Sequence, residues 1–339
     1  MTTETVEAAP TTDILPRVTW GSFGLLALGF VLLAAGPFVL DPYALDVATT
    51  GLAYGLMAMG LAVLVGQAGL PSLGHAAFLG VGGYTAGLVS IHINGNYFLG
   101  MAAGAVAGLL LSLLLGAISM RAQGIYFLMI SLAAAELIHV VAIRFTDLTG
   151  GDNGLSGIPA APVPVFESMG LPRVVSMYWF TLIVVGLAYV LLRLVLASPH
   201  GKSITGSHDN PDRMRAIGYS VTRIRIAALA LSGVTTAIGG VLLTFKDTFI
   251  APTALAPDAS ILLLVMVLVG GSRSLLGPLL TGIGLVALRA VSSSLIGDWW
   301  IFALGVLFVV TVFAMPSGIA GLLRGRPRTS PLLADEEER

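Results

Sequence analysis

Long apolar stretches dominate this chain and recur at intervals that fit helices crossing a bilayer. A bilayer core of about 30 Å needs around 20 apolar residues per helix. Runs such as Phe23 to Leu40 and Ile261 to Val269 carry no charged residue at all. The pattern predicts ten spans, at 18–40, 44–65, 73–92, 97–119, 125–144, 177–197, 224–245, 259–271, 275–296 and 299–320. The eighth is too short to cross upright, which fits a tilted, broken or partly re-entrant segment. The third begins in a glycine-rich run and invites the same reading. Two connections are long for simple turns: 145–176, rich in Gly and Pro, and 198–223, which is polar with a helical pattern. Loops of that length tend to carry function.

Composition agrees with an all-α integral membrane protein. Of 339 residues, 56% are hydrophobic and 10% charged, against roughly 25% charged in a soluble domain. The net charge of -1 gives no reason to expect a nucleic-acid partner, and the absence of cysteine excludes disulfides, thiolate metal sites and Cys nucleophiles. Met1 to Pro16 is polar, carries Glu4, Glu7 and Asp13 and lacks a basic stretch, so it does not read as a cleavable signal peptide. Residues 1–17 and 321–339 read as disordered cytosolic tails flanking a transmembrane domain at 18–320.

Charge sets the orientation, because Lys and Arg concentrate in cytoplasmic loops. With both ends inside, the inner segments hold Arg17, Arg121, Lys202, Arg213, Arg215, Arg223, Arg225, Arg273, Arg324, Arg326, Arg328 and Arg339. The outside keeps only Arg144, Arg173 and Lys246, while collecting Asp41, Asp46, Asp147, Asp152, Glu167, Asp247, Asp258 and Asp298. The 198–223 loop is then cytosolic and the 145–176 loop external.

The cytosolic loop contains a short helix signal. Asp209 and Asn210 are N-cap types, and Pro211 suits the first helical position. Asp212 lies near the positive end of the helix dipole. A helix from Pro211 to Ile217, through Arg213, Arg215 and Ala216, would end at Gly218. Met214 and Ile217 would share its apolar face. Pattern alone leaves two readings open, a helix that docks into a partner's groove and an ordinary solvated loop.

The run from Asp209-Asn210-Pro211 to Ala216-Ile217-Gly218-Tyr219 resembles the ATPase-docking loop of ABC importer permeases, in the form found in the branched-chain amino acid permease family. The family usually has a Glu-Ala pair early in this helix. Here Arg213 and Met214 stand there, which bears on the detailed salt bridges and not on docking. A second match runs from Gly66-Gln67-Ala68-Gly69-Leu70-Pro71-Ser72-Leu73-Gly74-His75-Ala76-Ala77-Phe78 through Gly80, Gly82 and Gly83 to Tyr84. Small residues let membrane helices approach closely, and Gly and Pro permit a broken backbone where protein or water covers its amides. Ser72 and His75 would there line an aqueous path or cap a broken helix. Tight packing, with His75 satisfied by a neighbour, is the simpler alternative. The third match, Leu148 to Pro159, includes Thr149, Gly150, Gly151, Asp152 and Asn153, and resembles the family's outer loop where the substrate-binding protein docks. The fourth is Gly270 to Pro278. Together the four cover roughly residues 44–320.

Ionisable groups inside spans are costly and tend to face interior paths or partners. Glu136 is the deepest acid, with His139 three residues on, and Arg289 is a candidate partner for it. A buried ion pair and a group on the substrate path are both open. Arg193 lies near a span end and can snorkel to the surface.

No zinc-protease, Walker or paired-carboxylate motif is present, and Ser72 with His75 alone does not make a protease site. An importer without a Walker loop must borrow its ATPase. The resemblance therefore implies a non-enzymatic permease subunit of type II-like ABC importer fold in a bacterial inner membrane. Its implied partners are a second permease (in this family a paralogue), two ATPase subunits that bind the ATP and Mg, and an external binding protein. This chain itself would hold no cofactor or metal. Branched-chain amino acids are the implied cargo. Importers of urea and short amides use very similar permeases, and an ion-coupled carrier built from spans 2–5 and 7–10 is the rival of another class.

Overall fold

The computed structural model describes residues 29–299 except 32, 94, 121, 123, 161, 162, 164, 165 and 167–169, together with 302, 305, 306, 309 and 318. Most of the first and tenth predicted spans, both tails, and Arg17, Arg121, Glu167 and Arg324 to Arg339 lie outside the described residues. The chain divides into a unit ending at Leu40, whose described residues include the helical turn Gly36–Val39, and a main unit from Asp41 onward.

The main unit is built from helices whose ends follow ordinary capping rules. Helix α1 (Pro42–Ala62) starts with Pro42 in its first turn and with the Asp41 carboxylate accepting the Ala44 amide at 3.3 Å. It continues as a π turn, Val63–Gln67, and then breaks. Helix α2 (His75–His92) resumes after the break. Asn96 caps α3 (Tyr97–Ser119), accepting from the amides of Phe98 and Leu99. Helices α4 (Ile125–Arg144) and α5 (Arg173–Ala197) follow. In the 198–223 loop Ser198 and Pro199 open α6 (Pro199–Asp209), and Asn210 and Pro211 open α7 (Pro211–Ala216). Helices α8 (Val221–Asp247), α9 (Pro257–Gly270) and α10 (Leu276–Ile296) complete the set.

The helices α1–α5 and α8–α10 coincide with eight of the predicted spans. Of these, α1 with its π turn, α3, α4, α5 and α8 are long and apolar enough to cross a membrane among the described residues. At 14 residues, α9 reaches only about 21 Å. It is entered through a 3₁₀ turn, Pro252–Leu255, so the short eighth span has a broken approach. The structure adds α6, whose Ser198-Pro199 start is an N-cap signature.

Packing centres on α8, which lies against α1, α2 and α3, while α1 also meets α5, α9 and α10. Glycine makes the closest crossings possible. A Cβ at Gly82 of α2 would run into the Ala237 backbone of α8, and one at Gly240 of α8 into the Leu79 carbonyl of α2. Outward faces of α3, α4 and α5 expose Leu110, Leu114, Leu137, Leu187 and Leu194, an apolar surface suited to lipid.

Candidate functional site

The break between α1 and α2 leaves backbone amides in the middle of an apolar bundle, where each must find a partner. Helix-terminal and side-chain groups supply them. The π turn closes through Ala68 N–H to Val63 O and Leu70 N–H to Leu64 O. Leu73 N–H donates to Ser131 Oγ of α4 at 3.1 Å, Gly74 N–H to Ser72 Oγ at 3.1 Å, and Ala76 N–H to Ser260 Oγ of α9 at 2.8 Å. His75 is fully buried at the start of α2. Its Nδ1 lies 3.2 Å from Ser72 Oγ and its Nε2 lies 2.7 Å from Ser232 Oγ of α8. One ring nitrogen donates and the other accepts, so the imidazole ties the break to α8. Its ring also meets Phe78 edge-on at 5.5 Å. His75 therefore sits in packed protein, satisfied by neighbours. Ser72 borders a cavity of about 50 Å³ between the break, α3 and α4, lined also by Ser119, Phe127 and Ser131.

Glu136 lies elsewhere. Its side chain is half-exposed on the outer face of α4, with a carboxylate oxygen 3.5 Å from His139 Nδ1. The candidate pairing with Arg289 is not the arrangement found. Helix α4 packs on α2, α3 and the Pro252–Leu255 turn, whereas α10 packs on α1 and α9. Arg289 lines a separate cavity of about 220 Å³ with Asp46, Thr50, Tyr54 and Met266. An ion pair that the span pattern did not reveal joins α1 to α8. Lys246 Nζ donates to both Asp46 carboxylate oxygens at 3.0 Å and meets Asp247 at 2.7 Å. Two charges 200 positions apart leave no local signal of their pairing.

In the 198–223 loop, Asn210 Oδ1 accepts the Arg213 amide at 2.9 Å, and Arg215 pairs with Asp212 at 2.6 Å. Asp209 closes α6 and leaves the cap to Asn210. The helix ends one residue earlier than expected, at Ala216. Gly218 follows in the left-handed region (φ 89°), where other residues are strained. Met214 folds back on Gly206 of α6, while Ile217 (63% exposed) and Tyr219 face outward. Arg213, Arg215 and Ala216 are also exposed, so α7 presents a compact surface of mixed character.

The 145–176 loop splits its expected residues. Thr149 is buried, its hydroxyl donating to the carbonyls of Ala142 and Phe145 and accepting the Gly151 amide, so it finishes α4. Gly151 is buried beside it, whereas Gly150, Asp152 and Asn153 are exposed. Leu155 and Ile250 then exchange backbone hydrogen bonds at 2.8 and 3.2 Å, pinning this loop to the entry of α9. Among the described residues, no three His, Asp or Glu side chains converge as metal ligands.

The chain matches the family model described as the branched-chain amino acid transport system permease component over residues 43–315. It is 26% identical over 320 residues to the high-affinity branched-chain amino acid transport system permease protein LivM of Salmonella typhimurium, covering 88% of this chain and 75% of that protein. The LivM of Escherichia coli matches at the same identity and coverage. A probable branched-chain amino acid transport permease protein, LivH of Methanocaldococcus jannaschii, is 24% identical over 290 residues, covering 79% of this chain and 88% of its own length. No solved structure matches. A multi-pass helical bundle, a helix broken at a glycine-rich signature and a match along most of the chain agree: this protein is a member of the branched-chain amino acid transport system permease component family.

Proposed function

We propose that this chain is one permease half of an ATP-driven importer that moves branched-chain amino acids into the cytosol of a bacterium. In this reading it is a type II-like permease of about ten spans with both ends inside. The observation that carries it is α7, a capped helix in the most basic loop of the chain, presenting exposed Ile217 and Tyr219 beyond a tight Gly218 turn. Residues Asp209 to Gly218 dock into a groove of a partner ATPase, which binds the ATP and Mg. Two such ATPases serve this chain and a second permease, most simply a LivH-like paralogue, since relatives of both names match.

The exposed outer residues Gly150, Asp152 and Asn153 meet the external binding protein, with Thr149 and Gly151 holding the loop in shape. A carboxylate facing hydrocarbon at mid-span would cost about 3 kcal/mol. The exposed Glu136 is therefore placed against the second permease, on an aqueous path where it attracts the ammonium of the cargo. Ser72 borders the inner part of that path through the small cavity beside it.

The test is uptake of labelled leucine, urea and ribose by vesicles carrying the complete transporter, with and without Ile217→Asp. Ile217 is mostly exposed, so the change leaves the bundle intact. ATP-dependent leucine uptake that falls about tenfold or more in the mutant supports both cargo and docking. Urea as the preferred cargo would move the assignment to short amides. Uptake driven by an ion gradient and indifferent to Ile217→Asp would overturn the ATP-driven reading.

A further inference from the structure

The cytosolic helix α6 does more than space α5 from α7. Its buried Ile204 enters the same apolar cluster as Leu64, Ala68, Leu70, Phe78 and Leu229. Thr205 Oγ1 donates to Gln67 Oε1 at 3.1 Å, reaching across 138 positions of sequence to the last residue of the π turn. The His208 ring lies against the backbone of Gly69, which holds φ 68°, and any Cβ at Gly69 would overlap that ring. On the other side of the same segment, Gly66 is pressed against the Ser272 carbonyl of the α9–α10 turn. The glycine-rich break is thus gripped between α6 and an inner turn.

From there it is tied upward. Its amides and His75 engage Ser131 of α4, Ser232 of α8 and Ser260 of α9. At its lower end, α6 connects to α7 through Asn210 and through Met214 lying on Gly206. A π turn is a local departure from helical registry that is commonly found at functional positions. Here it opens a break whose far end, Leu73 to Ala76, is tied by polar contacts to three different spans, which makes the whole segment a junction.

We infer that α6 is the transmission element of this permease, and that Gln67 and His208 are positioning residues which deliver displacement of α7 to the break at Gln67–Gly74. This rests on the ATP-driven reading above and refines it. The docking helix works on the junction through a hydrogen bond and a ring contact, in addition to pulling on the α5 and α8 to which its loop is covalently joined. Because Ser131 belongs to α4, the same junction moves the helix that carries Glu136.

The experiment uses the complete transporter in proteoliposomes: this chain, its partner permease, the ATPases and the binding protein. ATP hydrolysed and leucine imported are measured together for the parent, Thr205→Ser and Thr205→Val. Thr205→Ser keeps the donor and should match the parent. Thr205→Val keeps the shape and loses the donor, and the ATP used per leucine imported should rise about tenfold, with hydrolysis within about twofold of the parent. Equal ratios for the serine and valine variants would overturn the inference. Parallel loss of hydrolysis and uptake in an assembled Thr205→Val complex would do so too, since it would make the contact structural. Should Thr205→Val fail to assemble, Gln67→Met removes the acceptor from the other partner and is read in the same way. A parent that imports nothing on ATP would sink the ATP-driven reading itself, an outcome visible before any variant is compared.

Discussion

Helices α8 and α4 have similar hydropathy, yet the bundle treats them oppositely. In α8 the apolar window is 61% buried, and its polar groups are used inside: Ser232 holds His75, and Thr236 bonds back to the Ser232 carbonyl at 3.0 Å. In α4 only 22% of the window is buried, and its one acid, Glu136, is left on the outer face beside Leu137 and Val140. A polar group in a membrane helix is a fixed cost. Tertiary packing decides whether this protein meets that cost internally or leaves it for a partner or a water path. In α8 the polar groups build the junction. In α4 the polar group stays at the surface of the bundle, beside His139.

The contrast can be broken at three points, in descending order of expected effect on stability. Gly240→Leu places a branched side chain where the Leu79 carbonyl of α2 already sits. It should cost about 3 kcal/mol, seen as loss of monodisperse protein and a lower thermal aggregation midpoint in detergent. A normal midpoint would mean that the α2–α8 crossing is looser than its glycines indicate.

Ser232→Ala removes the partner of His75 Nε2 and should cost about 1 kcal/mol, with His75→Gln falling in the same range. The relevant measurement is the same midpoint. No shift in either variant would show that the His75 bridge is replaceable, and α8 would lose its part in the junction.

Glu136→Leu should leave stability unchanged to within about 0.5 kcal/mol, as expected for a substitution away from packed contacts, while uptake falls about tenfold, the loss expected when a charge that steers the cargo is removed. Intact uptake together with higher stability would mean that α4 faces lipid at Glu136, and its contrast with α8 would reduce to a difference in burial. Glu136→Asp, keeping the charge, should recover part of the uptake in the first case and change nothing in the second.

Much of the architecture was legible in the chain. The spans at 97–119 and 125–144 match α3 and α4 end to end, because helix boundaries follow from local features: Asn96 as a cap, Gly124 at φ 54°, and uninterrupted apolar runs between them. Helix α7 was readable for the same reason, from Asn210, Pro211 and Gly218. The helix before it was legible only at its Ser198-Pro199 start, since Pro199 to Asp209 is polar and glycine-containing, and it is held by Ile204 in a distant apolar cluster and by Gln67. The pairing proposed for Glu136 failed because depth along two spans says nothing about which sides of the bundle those spans occupy.

By itself the amino-acid sequence determined that the protein is helical, lies in a membrane and has the backbone freedom to break a helix at a glycine-rich run. These follow from hydropathy, capping and backbone freedom, all of them local. Only the tertiary structure decided that His75 bridges Ser72 to Ser232, that Lys246 belongs to Asp46, and that α6 grips Gln67 and Gly69. Each of these joins groups brought together by helix packing, and that packing is set by shape complementarity across the whole bundle, which no short stretch of sequence encodes.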